Sequence, residues 1–264
     1  MKRKAILSSC DWIAYFYENA QTAARQIKPE MEVAIPDDIR RVVQSSLTAW
    51  QLGKTSGGGY LRVAAGQYAD EHDDQAFLSA VDFFIREGQR HGKALGEWLD
   101  LSGFTRKRSD LGESLFRLCR YAIPSYAVWA SVVVMVESME EIYFTAVRRL
   151  VPCPRLKMEC EQILRDVGRH VQFQCEHLAV VKHRLPRSLR ILLSNMEAAF
   201  YGVVCLAVWM GHGKLMRMAG LSLPKFVVAA MRKYRVLRRL SNPDSYEFAR
   251  QRTRIMFYPL RVRD

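Results

Sequence analysis

The chain has 264 residues, 49% of them apolar, which is long enough to bury a sizeable core and too apolar for a disordered polymer. Its formal charge of +13 is concentrated in residues 214–264, where thirteen Lys/Arg face three Asp/Glu, leaving +3 for residues 1–213. No nucleic-acid-reading motif accompanies that charge, so a solvated basic helix and tail is expected and nucleic acid is not an expected partner. Six cysteines (10, 119, 153, 160, 175, 205) form no CxxC pair and no dense framework, which fits reduced thiols and a cytoplasmic location. The opening "MKRKAILSSC" imitates an export signal, but its apolar stretch, Ala5 to Leu7, is too short for the core of one. "AVWASVVVMV" (127–136) and the stretch about 198–210 are shorter than the roughly 18–20 residues that cross a bilayer. No membrane insertion is expected.

Helical periodicity dominates from residue 35 onward, and hairpin signals are nearly absent. "IPDDIRRVVQSSLTAWQLGKT" opens on Pro-Asp-Asp, a sound helix start, and "GGG" at 57–59 breaks or kinks it before "YLRVAAGQYA". "DDQAFLSAVDFFIREGQRHGKALGEWLDL" begins with acidic capping residues and predicts a long helix. "SDLGESLFRLCRYAI" predicts another after the polar break "TRKRS". "SYAVWASVVVMVESMEEIYFTAVRRL" is apolar all round at its start, the pattern of a helix buried on every side. "LKMECEQILRDVGRHVQFQCEHLAVVKHRL" runs up to Pro186, "SLRILLSNMEAAFYGVVCLAVWMGHGKLMRMAG" ends at Gly220, and "SLPKFVVAAMRKYRVLRRL" adds a shorter helix. The expected architecture is an all-α bundle, divided into an N-terminal extension (1–34), a helical domain (35–240) and a basic tail (241–264). Trp50, Phe83, Phe84, Trp129, Tyr143, Phe144 and Trp209 fall at core spacing. Met210, Met216 and Met218 are expected to pack, and His177, His183 and His212 to be surface or satisfied helix histidines. There is no P-loop, GxSxG elbow or Rossmann fingerprint.

One hexapeptide occurs twice: "REGQRH" at 86–91 and "RDVGRH" at 165–170, each reading Arg, acid, two variable positions, Arg, His. A repeated ligand-bearing motif on two helices suggests two halves of one site. With the order and spacing of the surrounding helices, it resembles the ferritin-like di-iron carboxylate proteins. Their site takes one Glu from each of two helices and a Glu-x-x-His from each of two others. The resemblance covers about residues 35–235. "WQLGKTSGGG" is similar to the family's first ligand helix, "FFIREGQRHGKALGEWLDLSG" to the second, "VVMVESMEEIYFTAVRR" to the third and "EQILRDVGRHVQFQ" to the fourth. "VWMGHGKLMRMAGLS" is similar to a helix following the core in bacterial members.

Carried over residue by residue, the resemblance assigns the two His ligands to His91 and His170 and the lone third-helix Glu to Glu137, with Glu140 and Glu141 one turn further along. The first-helix Glu falls on Lys54 and the two motif carboxylates on Gly88 and Val167. Three of six ligands are therefore lost, all carboxylates, and residues 39–69 contain no Asp or Glu to restore one. What remains of the ligand set is one carboxylate, Glu137, facing one ammonium, Lys54, and buried charges must be paired. A lysine in place of the metal charge fits these positions, and no metal or other cofactor is expected.

The first reading is thus a divergent member that has lost the di-iron site. Its bundle cavity, widened at Gly88 and Val167, would bind a small, fairly apolar molecule and transform it by acid–base chemistry from Lys54, Glu137, His91 and His170. A second reading keeps one Fe, Mn or Zn ion on His91, Glu137 and His170, with Glu87 and Asp166 as shifted ligands, since residues four apart share a helix face. In the family an acid at the positions of Glu87 and Asp166 lies outside the metal's own ligands and holds a His by hydrogen bond. A third reading is a non-enzymatic scaffold, and a homodimer is left open.

Overall fold

Capping and breaking residues set where the helices begin and end. The computed structural model describes residues 4–24, 35–55, 57–107 and 125–248, and these are almost wholly helical, as an all-α chain requires. Helix α1 spans Ser9–Ala24, α2 Asp37–Lys54, α3 Gly59–His72 and α4 Gln75–Leu101. Helix α5 spans Tyr126–Leu150, α6 Pro154–His183, α7 Arg187–Met218 and α8 Leu223–Leu240. The Asp74 carboxylate caps α4 by accepting from the Phe77 backbone N–H. Pro154 and Pro224 stand in the first turns of α6 and α8, where no N–H is needed. The segment 109–123, expected to be helical, lies outside the described residues, as does the tail beyond 248.

The broadest interface joins α5 and α6, linked by the short connector 151–153. Helix α4 receives α1, α2 and α3 and packs against α6, while α7 and α8 cover α5 from the other side. Two glycines permit close approaches. Gly58 has φ +67°, and a Cβ there would lie 2.8 Å from Ile85. Gly92 follows His91 on α4, and a Cβ there would sit 3.1 Å from the Lys54 backbone. The missing side chain lets the end of α2 lie directly on α4. Of the expected core aromatics, Trp50, Phe84, Tyr143 and Phe144 are buried, while Phe83, Trp129 and Trp209 are half-buried against the core.

Of the residues assigned to an N-terminal extension, those of α1 belong to the packed body. Trp12 and Phe16 of α1 are buried against Phe173 of α6. Strand β1 (Lys4–Ala5) pairs in parallel with β2 (Tyr246–Glu247), and Trp12 Nε1 donates to Glu176 at 3.2 Å. The tail likewise begins later than expected, because Ser241, Pro243 and Tyr246 are buried and the Tyr246 hydroxyl donates to the Leu240 carbonyl. Met216 packs as expected, but Met210 is 76% exposed and Met218 is also exposed. Helix α7 departs furthest from expectation. The stretch about 198–210 is only part of a 32-residue helix that is, by length and composition alone, able to cross a membrane, and little of it is buried.

Replacing Gly58 by Ala should cost at least about 1–2 kcal/mol from the left-handed backbone, with the Ile85 clash added. Gly59→Ala, at a helix start with open space around it, should be neutral or stabilising. Denaturant midpoints of the two variants measure the contrast.

Candidate functional site

The repeated hexapeptides lie on α4 and α6, and in each the acid and the His four residues later share a helix face. The two helices are cross-bonded through them. Asp166 of α6 meets His91 of α4, with 2.7 Å between Oδ2 and Nε2. Glu87 of α4 meets His170 of α6, with 2.8 Å between Oε2 and Nε2. Each imidazole is held through Nε2 by the acid of the other copy. Arg90, the fifth residue of the first copy, donates to both acids at 3.0 Å. Asn19 of α1 donates to both as well, at 2.5 Å to Glu87 and 2.8 Å to Asp166, and Gln162 adds a bond to Asp166 at 2.8 Å.

On the inner side of the rings the two histidines differ. His170 Nδ1 lies 3.0 Å from Glu137 Oε1, whereas His91 Nδ1 has no hydrogen-bond partner. The Lys54 side chain is only 9% exposed, and its Nζ lies 2.8 Å from Glu140 Oε2. The expected Lys54–Glu137 pair is therefore corrected to Lys54–Glu140, one turn further along α5, since His170 already occupies one Glu137 oxygen. Lys54, His91, Glu137 and His170 still meet in one cluster, with one contribution each from α2, α4, α5 and α6.

Electrostatics separates the two histidines. Burial pushes the His91 imidazole down to about 4; its hydrogen bond to Asp166 opposes this and the Lys54 charge adds to it. For His170 burial acts in the same direction but is overcome by Glu137 and Glu87, which raise it to about 10. His91 is neutral at pH 7 and His170 is an imidazolium. Burial would raise Asp166, but His91, Gln162 and Asn19 outweigh it and hold the carboxyl far below its ordinary range. Glu87 is lowered against burial by its bond to His170. Burial raises Glu140, opposed by Lys54. Four acids (Glu87, Glu137, Glu140, Asp166) thus meet three basic side chains (Lys54, Arg90, His170) in this cluster.

A groove of about 550 Å³ opens beside the cluster between α1, α4 and the start of α6. Phe16, Phe83 and Met158 form its apolar side, and Glu87, Arg90 and His91 its polar side. Neither Gly88 nor Val167 lines it. Gly88 has open space around it, but the Val167 side chain is fully buried and fills its own position. The volume expected at the lost ligand positions is therefore found beside His91 instead.

The donor set fits a metal poorly. Among the described residues, no group of three or more His, Cys, Asp or Glu is arranged to hold one. Glu87 and Asp166 are committed to the outer edges of the imidazoles, so they cannot chelate alongside the His they were expected to assist. The inner atoms that could converge are His91 Nδ1, Glu137 and Glu140, and there the Lys54 ammonium already supplies positive charge.

Sequence reasoning misses Asn19, Arg90, Gln162 and the role of Glu140. Arg90 is a fixed position of the hexapeptide, and Gln162 stands one turn before Asp166; both are readable signals. Asn19 carries none. Of the other histidines, His177 is buried among Tyr68, Phe77 and Tyr126, and His212 bonds Ser46 through Nδ1 at 2.8 Å. Comparisons with family models, with curated proteins and with solved structures return no match.

The opposite shifts of the two histidines give opposite pH dependences. His170, raised when folded, stabilises fully below pH 6.5, and that contribution is lost as pH rises toward about 10. His91, depressed when folded, favours the native state above pH 6.5 and disfavours it as pH falls toward about 4. Melting temperatures across pH 4–10 should show a flatter alkaline limb in His170→Gln and a flatter acid limb in His91→Gln; limbs parallel to the parent's would refute the assignment. Lys54→Ala and Glu140→Ala should each cost about 3–5 kcal/mol by stranding a buried charge. The double variant should lose clearly less than the sum of the two, and additive losses would show that the pair is not coupled.

Proposed function

We propose that this chain is a divergent ferritin-like bundle in which a lysine replaces metal charge, and that its groove binds a small molecule for proton-transfer chemistry in the cytoplasm. The ferritin-like reading is supported by four positions that match the family's ligands, Lys54, His91, Glu137 and His170, which come together in one cluster from α2, α4, α5 and α6. The loss of the di-iron site is supported by the buried Lys54–Glu140 pair at 2.8 Å. The observation that carries the function is His91, a neutral imidazole on the groove wall with one nitrogen held by Asp166 and the other unpartnered.

Asp166, ionised and held by several donors, accepts the Nε2–H and so fixes the tautomer that leaves a lone pair on Nδ1. That nitrogen is buried on the inner side of the ring, so a ligand must enter past the imidazole from the groove to reach it. Once reached, it can take a proton from the bound molecule and return it. The nearby Lys54 charge opposes a lasting imidazolium, so the proton would be passed on rather than kept. Arg90 would face a polar or anionic group of the ligand, and Phe16, Phe83 and Met158 its apolar part.

A second reading, one Fe, Mn or Zn ion on His91, Glu137 and His170, is favoured by two unpartnered buried atoms, His91 Nδ1 and Glu137 Oε2. An ion there would displace the His170–Glu137 bond and lie near Lys54.

Elemental analysis after iron-supplemented expression separates the two readings. Substoichiometric metal is expected, and one or two equivalents per chain would sink the first reading. Native mass spectrometry of the purified chain should reveal a co-purifying small molecule. Its signal should fall at least tenfold in Ala20→Trp, which fills the groove from α1, in a variant of unchanged melting temperature.

A further inference from the structure

The faces of α7 and α8 turned away from the bundle play no part in the site. On α7, Leu192, Met196, Val203, Leu206 and Met210 are each more than half exposed. Between Arg190 and Lys214 the exposed residues of this helix include no charged group, a run about 35 Å long at the helical rise. Glu197 is the one acid of the helix, and it is half-buried and bonded to Lys182 at 2.8 Å. Leu223, Val227, Val228 and Met231 extend the apolar surface along α8. Exposed Lys225, Arg232, Arg235 and Arg238 stand beside them, and α8 contains no acid.

An apolar surface of this extent on two neighbouring helices marks a binding face, and the charge around it selects the occupant. We infer that the α7–α8 face docks on the surface of an anionic lipid bilayer, with its apolar side chains at the headgroup–acyl boundary and its basic side chains among the phosphates. A second copy is the poorer fit. Pairing two such faces would bring Arg187, Lys214, Lys225 and Arg232 against their equivalents, with no exposed acid on either helix to meet them. Lipid phosphate supplies that missing charge. A spanning orientation fits no better. Tyr201, Val204, Val208 and Leu215 on the opposite side of α7 are buried against the bundle, so the helix offers one face and not its whole circumference. An apolar face bordered by Lys and Arg lies in the interface plane.

Co-sedimentation of the full chain with vesicles tests this, comparing phosphatidylglycerol–phosphatidylcholine mixtures with pure phosphatidylcholine at low salt. Binding to the anionic vesicles is expected, weakened by 0.5 M salt. Arg232→Gln/Arg235→Gln/Arg238→Gln should bind roughly a hundredfold more weakly. Leu192→Gln/Leu206→Gln/Met210→Gln, whose substitutions lie at exposed positions, should lose at least tenfold with an unchanged melting curve. The inference is overturned by equal binding to both vesicle types, by no binding to either, or by retention through an alkaline carbonate wash, which marks a spanning helix. It is also overturned by a sedimentation-velocity dimer that the Leu192/Leu206/Met210 variant converts to monomer.

Discussion

An imidazole buried between helices has two nitrogens to satisfy and no water to satisfy them, so its neighbours decide both its orientation and its charge. In this protein each Nε2 is met by an acid from the opposite helix, Asp166 for His91 and Glu87 for His170. The two bonds tie α4 to α6 and fix both rings with Nδ1 directed inward. Arg90 and Asn19 bridge the two acids, so neither carboxylate can turn away without stranding a charge. The inner cluster, the groove wall and the approach of α2 all take their geometry from this frame.

The same frame gives two copies of one motif opposite protonation states. His170 sits between two carboxylates and becomes a cation, whereas His91 has one carboxylate and a nearby lysine and stays neutral. A shared motif at the two hexapeptides is thus compatible with division of labour. Separated titration of paired groups is the arrangement from which acid and base roles are drawn in catalytic sites. The lysine matters twice, since it pairs with Glu140 and adds to the burial that keeps His91 neutral.

Much of this is legible in the amino-acid sequence alone. Pro36 with Asp37 and Asp38 at the start of α2, the Asp74 cap of α4 and Pro186 after α6 mark real boundaries: the prolines lack an N–H, Asp74 accepts one, and Asp37 and Asp38 place acids in the first turn of α2. The repeated hexapeptide identifies the two histidines and their acids. That the acids cross over is not legible, because spacing along one helix is silent about its neighbour. Nor does the sequence distinguish Glu137 from Glu140 as the lysine's partner, a choice made by which oxygen His170 leaves free. Asn19 lies in a segment without a motif, and its position follows only from Trp12 and Phe16 anchoring α1 against α6. On α7 the expectation that Met210 and Met218 pack fails, because an apolar side chain is buried only where there is enough protein to cover it.

The parallel pair β1–β2 is a small contact that couples distant parts of the chain. Residues 4–5 lead into α1, which carries Asn19 to the acids, and residues 246–247 follow α8. The pair works as a clasp on a belt: α1 is drawn against the bundle at one end by two residues of strand and along its length by Trp12 and Phe16. Opening the clasp would need little of the chain to unfold, yet it would slacken the helix that closes one side of the groove. Access to His91 could then be governed by a local opening far less costly than global unfolding. Hydrogen exchange at the β1 and α1 amides would report such an opening, at a rate independent of the bundle core.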